Sequence, residues 1–190
     1  KFIQKENVAL ILGDNFFYGQ NLSDKLEKSL HHSSGSRIFL KQVDKPENFG
    51  IAKILKKKIE KIIEKPKKFI SNYAITGLYF FDNKVSEYAK TLKPSKRGEI
   101  EITDLLDIYK KNKKLSFEHL GRGAIWSDAG KIGDMTNVSN FVKSVEEVQG
   151  IKIACLEEIS LFKKWINKKN IIKNIKFYGN CEYSNYLKKL

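Results

Sequence analysis

The run YAITGLYFFD, Tyr73 to Asp82, sets the strongest limit on the architecture of this chain. Aromatic and β-branched residues suit the pleated surface of a sheet, so it reads as a strand. VALIL, Val8 to Leu12, is almost wholly apolar, the pattern of a strand buried on both faces. Between them a loop follows VALIL, Leu22, Leu26 and Leu30 then recur at helical spacing, and RIFLKQV is a further strand closed by the DKPENFG turn. IAKILKKKIEKIIEKP admits a helix or two strands about a Lys-rich turn. Its β-branched Ile51, Ile54, Ile59, Ile62 and Ile63, with Pro66, favour the hairpin.

Beyond Asp82, KVSEYAKTL reads as a helix stopped by Pro94. EITDLLDIYKKNK reads as another, with Ile102, Leu105, Leu106 and Tyr109 on one side. KLSFEHLG and AIWSDAG look like strand edges, and from KIGDMTNVSNFVKSVEEVQG onward the pattern is mostly helical. Strands alternating with helices predict an α/β sheet with helices packed on it, followed by a small C-terminal helical subdomain. A boundary near Gly150 would divide 1–150 from 151–190, although no linker composition marks it.

A chain of 190 residues can bury one substantial core. Nothing in it approaches a membrane span, and KFIQKENVALIL lacks the features of a secretory signal, so a soluble, cytoplasmic protein is expected. Cys155 and Cys181 stand outside any CxxC or Cys/His cluster, which fits free thiols in a reducing compartment. The net charge of +14 suggests a polyanionic partner. Only Arg37, Arg97 and Arg122 are arginines, however, and the lysines alternate with apolar or acidic residues as on solvated faces. No nucleic-acid partner and no membrane partner are therefore expected.

Several residues have the chemistry for a site. Asp14 follows the VALIL run, where its carboxylate could cap the next segment or hold a divalent cation. Asp128, beside Trp126 in WSDAG, has the same two prospects. Mg²⁺ at phosphates is commonly held by one or two carboxylates plus substrate oxygens, so the two acids could complete one site. Lys65 and Arg97 are candidate phosphate ligands, one as a point charge and the other as a fork. Glu64 could accept hydrogen bonds from sugar hydroxyls. Thr76 and Gly77 interrupt a bulky strand, which marks a ligand's close approach or a packing kink. His31, His32 and His119 show no metal-ligand spacing and read as bystanders.

The order of LGDNFFYG, ENFGIA, IIEKP, SNYAITGLYFFDN, LKPSKRGEIEITD, GRGAIWSDAG, SNFVKSVEEVQG and CLEEIS resembles that of the glucose-1-phosphate thymidylyltransferases, over essentially the whole chain. The resemblance implies a nucleotidyltransferase-like, Rossmann-type α/β sheet. It implies transfer of dTMP from dTTP to glucose 1-phosphate with Mg²⁺ and release of pyrophosphate, feeding dTDP-rhamnose and polysaccharide synthesis. It makes Asp14 and Asp128 the metal-holding carboxylates, with Asp14 also near the nucleotide. Gly50, Glu64 and Ile75 would line the sugar site with Tyr79 nearby, while Lys65 and Arg97 would hold the sugar phosphate. A homo-oligomer, a tetramer in the family, is also implied.

Phe49, Ile75, Ser127 and Ala129 stand where the family usually has tyrosine, valine, leucine and threonine. Another sugar or base thus stays open, as does a non-catalytic remnant that binds sugar phosphate. The family's first strand and GGxGTRLxP loop, whose backbone N–H groups would cradle a triphosphate, have no counterpart here. A shortened form that binds nucleotide poorly, turns over slowly and exposes sheet edges is the expectation.

Overall fold

The computed structural model describes residues 3–31 and 34–190; His32 lies outside the described residues. The chain divides into two compact units, Lys1–Asp134 and Met135–Leu190. The division falls within the helix Ile132–Gln149, ahead of the boundary expected near Gly150.

The first unit is organised by one strand. Tyr73–Phe81 (β6) pairs on one side with Ser36–Gln42 (β3), and on the other with Val8–Ile11 (β1) and Gly50–Leu55 (β4). Lys58–Glu64 (β5) extends the sheet beyond β4, and Leu115–His119 (β7) extends it beyond β3. Among the described residues only the β3–β7 pair is parallel; the other ladders are antiparallel, giving the order β5-β4-β6-β3-β7 with β1 off that path. The sheet curls, so that its two ends, β5 and β7, approach one another.

Because successive strand side chains point to opposite faces, β6 supplies two cores. Ile75, Tyr79 and Phe81 pack with Leu105, Leu106 and Tyr109 of the helix Ile102–Lys111 (α3). Leu78 and Phe80 pack instead with Phe39 and with Leu22 and Leu26 of the helix Leu22–Leu30 (α1). Between β6 and α3 runs a short helix, Val85–Ala89 (α2), which ends well before Pro94. The hairpin expected over residues 51–64 is present, with Lys56 and Lys57 as its two-residue loop.

Two expectations need correction. β1 is not buried on both faces: Leu10 is 36%, Ile11 57% and Leu12 40% exposed, and β6 is its only strand partner among the described residues. NFFY reads as loop by its position after Gly-Asp, yet Asn15–Tyr18 (β2) forms a separate two-stranded sheet with Ile125–Asp128 (β8). The aromatic side chains that follow Asp14 are therefore strand residues.

The second unit consists of most of Ile132–Gln149 (α4) with Leu156–Phe162 (α5), Lys168–Tyr178 (α6) and Glu182–Leu187 (α7). Its own core contains Cys155, Ile171, Tyr186 and Leu187. Both cysteines are free, Cys155 buried and Cys181 exposed. No helix among the described residues is long and apolar enough to cross a membrane.

Candidate active site

The β2–β8 pair brings the two candidate metal carboxylates together. Its register sets Asn15 opposite Asp128, and the Ala129 amide donates to the Asp14 carbonyl at 2.7 Å. Residues far apart in sequence are thus fixed side by side by backbone bonds. A Cβ at Gly130 would stand 3.1 Å from Asp128 Oδ1 and 3.4 Å from Asp14 Oδ2, so both carboxylates converge on one small space. The Gly130 amide donates to Asp128 Oδ1 at 3.1 Å, and Asn15 Nδ2 donates to Asp14 Oδ1 at 2.9 Å.

Asn15 organises this corner, and sequence reasoning alone misses it. Its Oδ1 accepts from the Gly77 amide at 3.1 Å and from Trp126 Nε1 at 2.6 Å, while its Nδ2 holds Asp14. Gly77 is the counterpart: a Cβ there would fall 2.6 Å from Asn15 Cγ. The glycine in the bulky strand therefore admits a neighbouring side chain. In sequence Asn15 passes for turn chemistry after Gly-Asp, and only the long-range contacts reveal its work.

Asp14 and Asp128 share an open cleft of about 760 Å³ with Lys65, Lys131 and Asp134. Phe49 and Trp126 form part of its wall, their ring centroids 5.1 Å apart. Lys41 also reaches the cleft but is committed to the loop after β7, donating to the Ala124 carbonyl at 2.6 Å and to that of Gly121 at 3.2 Å. Lys65 has a left-handed backbone, φ 40°, and its amide donates to the Phe49 carbonyl at 3.0 Å. This unusual geometry turns the chain at the end of β5 just as it enters the cleft.

The remaining predicted residues gather in a neighbouring cluster and do not line that cleft. Gly50 lies opposite Glu64 in the β4–β5 ladder, and a Cβ on Gly50 would stand 3.0 Å from Glu64 Oε2 and 4.0 Å from Ile75 Cδ1. Arg97 Nη1 lies 3.8 Å from Glu64 Oε1 and 3.6 Å from Glu101 Oε1, with its Nη2 2.8 Å from Glu99. Burial raises the Glu64 pKa, and the Glu101 carboxylate adds to this against Lys65, a Thr103 hydrogen bond and Arg97. Tyr79 is buried, and its burial together with the Glu64 charge raises its phenol pKa. Ile75, which would border a Cβ on Gly50, and Gly77, which meets Asn15, stand two residues apart on β6. The link between the two parts is covalent, through Glu64 and Lys65.

Neither described histidine enters the site. His119 packs against Tyr73 and Phe117 at 4.9 and 5.2 Å between centroids, and His31 closes α1. No group of three or more His, Cys, Asp or Glu side chains suited to a metal occurs among the described residues. Two convergent carboxylates still fit a hard cation that takes its other ligands from water and substrate phosphates.

Comparison with known proteins agrees with this architecture. A nucleotidyl transferase family model matches residues 1–145. The glucose-1-phosphate thymidylyltransferase of Neisseria meningitidis serogroup A is 39% identical over 191 residues, covering 100% of this chain and 66% of its own length. Relatives of the same description from Neisseria gonorrhoeae and Xanthomonas campestris match in the same way, so the chain spans 63–66% of the length of these curated relatives. A solved Bacillus anthracis structure described as a glucose-1-phosphate thymidylyltransferase superposes with a TM-score of 0.66 at 38% identity, over 74% of this chain and 56% of that one. A UDP-glucose pyrophosphorylase, 23% identical, shares the fold with a TM-score of 0.65 over 75% of this chain and 58% of its own. From the family match, these relatives and the paired-carboxylate cleft on a curled mixed sheet, it follows that this chain belongs to the nucleotidyl transferase family.

Proposed function

We propose that these residues form the sugar-phosphate and metal side of a glucose-1-phosphate thymidylyltransferase, which joins dTMP from dTTP to glucose 1-phosphate and releases pyrophosphate. The observation that carries the reading is the convergence of Asp14 and Asp128 across the β2–β8 pair, in a cleft that also holds Lys65. Asp14 and Asp128 would hold Mg²⁺, which supplies charge neutralisation at the reacting phosphates.

The chain's own groups do the positioning. Lys65 brings an ammonium into the cleft for the sugar phosphate, and Arg97 offers a fork to the same anion in exchange for its present carboxylate partners. Glu64, raised in pKa by burial and by Glu101, gains hydrogen-bond donors when sugar hydroxyls replace water beside it. Gly50 and Ile75 leave room and apolar contact for the ring, with Tyr79 behind them. Neutralising and aligning two phosphate groups is the main work in such transfers, and no protein nucleophile is needed. The same reading implies a homo-oligomer working in the cytoplasm.

The test is pyrophosphate release from dTTP and glucose 1-phosphate with Mg²⁺, in the natural protein that carries these residues. Asp14→Asn and Asp128→Asn should each lower turnover by about 10²- to 10³-fold with the fold intact. Turnover with UTP or another sugar phosphate in place of these substrates would move the assignment within the family. Sugar-phosphate binding without any turnover would replace the enzyme with a binding protein.

A further inference from the structure

Where the curled sheet brings β5 and β7 together there is a second cavity, of about 520 Å³, which shares no lining residue with the Asp14–Asp128 cleft. Its walls carry Lys57 and Lys58 from the β4–β5 hairpin and Lys110 and Lys113 from the end of α3. Among the described residues no acid lines it. Lys110 is paired with Asp107 at 2.7 Å, but Lys57, Lys58 and Lys113 have no carboxylate partner among the described residues. Three uncompensated ammonium groups around one concavity repel each other, and an anion between them would relieve that repulsion.

The backbone adds an independent observation on both sides of the crevice. Lys56 and Lys57 form the hairpin loop with φ 48° and 61°, and Lys113 has φ 55°. Asparagine and glycine occupy such positions with least strain, yet lysine stands at all three. Lys57 and Lys113 thus hold like charge at fixed turn positions on both sides of the crevice.

The floor defines the rest of the ligand. Ile59, Leu115 and Phe117 are apolar, and the one hydroxyl there, on Ser116, already donates to the Ser36 carbonyl at 3.1 Å. The floor side chains thus offer apolar contact to a hydrocarbon group, which needs no hydrogen-bonding partner. The volume lies within the range of small-molecule sites, about 300–1,000 Å³. We propose that this seam crevice binds an organic diphosphate with an apolar body, its phosphates on Lys57, Lys58 and Lys113 and its hydrocarbon on Ile59, Leu115 and Phe117. The site is separate from the proposed transferase chemistry and does not depend on it.

Isothermal titration of the natural protein that carries these residues with geranyl diphosphate, inorganic pyrophosphate, geraniol and ADP, at fixed ionic strength, tests this. Geranyl diphosphate should bind with a dissociation constant below about 0.1 mM, and the other three at least about tenfold more weakly. The double variant Lys57→Asn/Lys113→Asn should weaken geranyl diphosphate binding about tenfold. Because asparagine suits the left-handed backbone, its melting temperature should equal or exceed that of the wild type, separating lost binding from lost folding. Asp14→Asn should leave the binding unchanged. Absence of binding at about 1 mM, indifference to the lysine changes, loss with Asp14→Asn, or ADP binding as tightly as geranyl diphosphate would each overturn the proposal.

Discussion

Among single residues, the candidate site depends most on one asparagine that touches a glycine, a tryptophan and a carboxylate. Gly77→Ala should displace Asn15, since the added Cβ would fall 2.6 Å from its Cγ. A stability loss of about 1–3 kcal/mol is expected, with weakened Mn²⁺ binding as Asp14 loses its anchor. Denaturant melts and Mn²⁺ titration measure the two effects, and an unshifted midpoint would show that the contact is slack. Asp82 is a structural acid by contrast. Burial pushes its pKa up, but hydrogen bonds from the Gly35 amide at 2.7 Å, Tyr109 at 2.8 Å and the Lys84 amide at 3.1 Å, with the Lys114 charge, hold it below the usual carboxylate range. A carboxylate with a depressed folded pKa contributes stability that is present above its unfolded pKa and is lost as pH falls through the folded one. Asp82→Asn should therefore cost about 1–3 kcal/mol at neutral pH, with the gap to wild type closing in acid. Equal gaps in neutral and strongly acidic buffer would count against this account.

Among the elements, local pattern is a good guide wherever an element's own residues dictate its form. The 51–64 hairpin is legible from β-branched residues, and α3 from its apolar stripe, because both preferences act within a few residues. β2 and β8 are not both legible. Four residues each, they exist because they pair with one another across the chain, and NFFY after Gly-Asp carries no mark of that pairing. α6 shows a device of the local kind: Asn167 accepts from the Lys169 and Asn170 amides, and Asn170 Oδ1 accepts from the Asn167 amide. Asn167→Ala should destabilise this helix by about 1 kcal/mol, read as faster amide exchange in residues 168–171 while β6 is unchanged.

For the molecule as a whole, the +14 net charge and the open β1 edge act in opposite directions. Like charge keeps copies of the chain apart, while an exposed apolar strand with one strand neighbour among the described residues invites edge pairing. Leu10 and Ile11 are accessible apolar residues of that strand. Ile11→Lys should reduce self-association, seen as a smaller rise of sedimentation coefficient with protein concentration, most clearly at high salt where repulsion is screened. Sedimentation indistinguishable from wild type would place self-association elsewhere on the surface.

Local sequence sufficed for the strand and helix types apart from β2, for the hairpin and for the free cysteines, and it marked the candidate acids that follow VALIL and close AIWSD. Each of these follows from residue preferences and spacings that act over a few positions. What those residues meet came only with the folded chain. Folding opposed Asn15 to Asp128, used Gly77 to admit Asn15, separated the Glu64–Arg97 cluster from the carboxylate cleft, and exposed a strand that looks buried on both faces. Burial, register and convergence are properties of pairs brought together from distant parts of a chain, and no local run of residues specifies the partner that completes the pair.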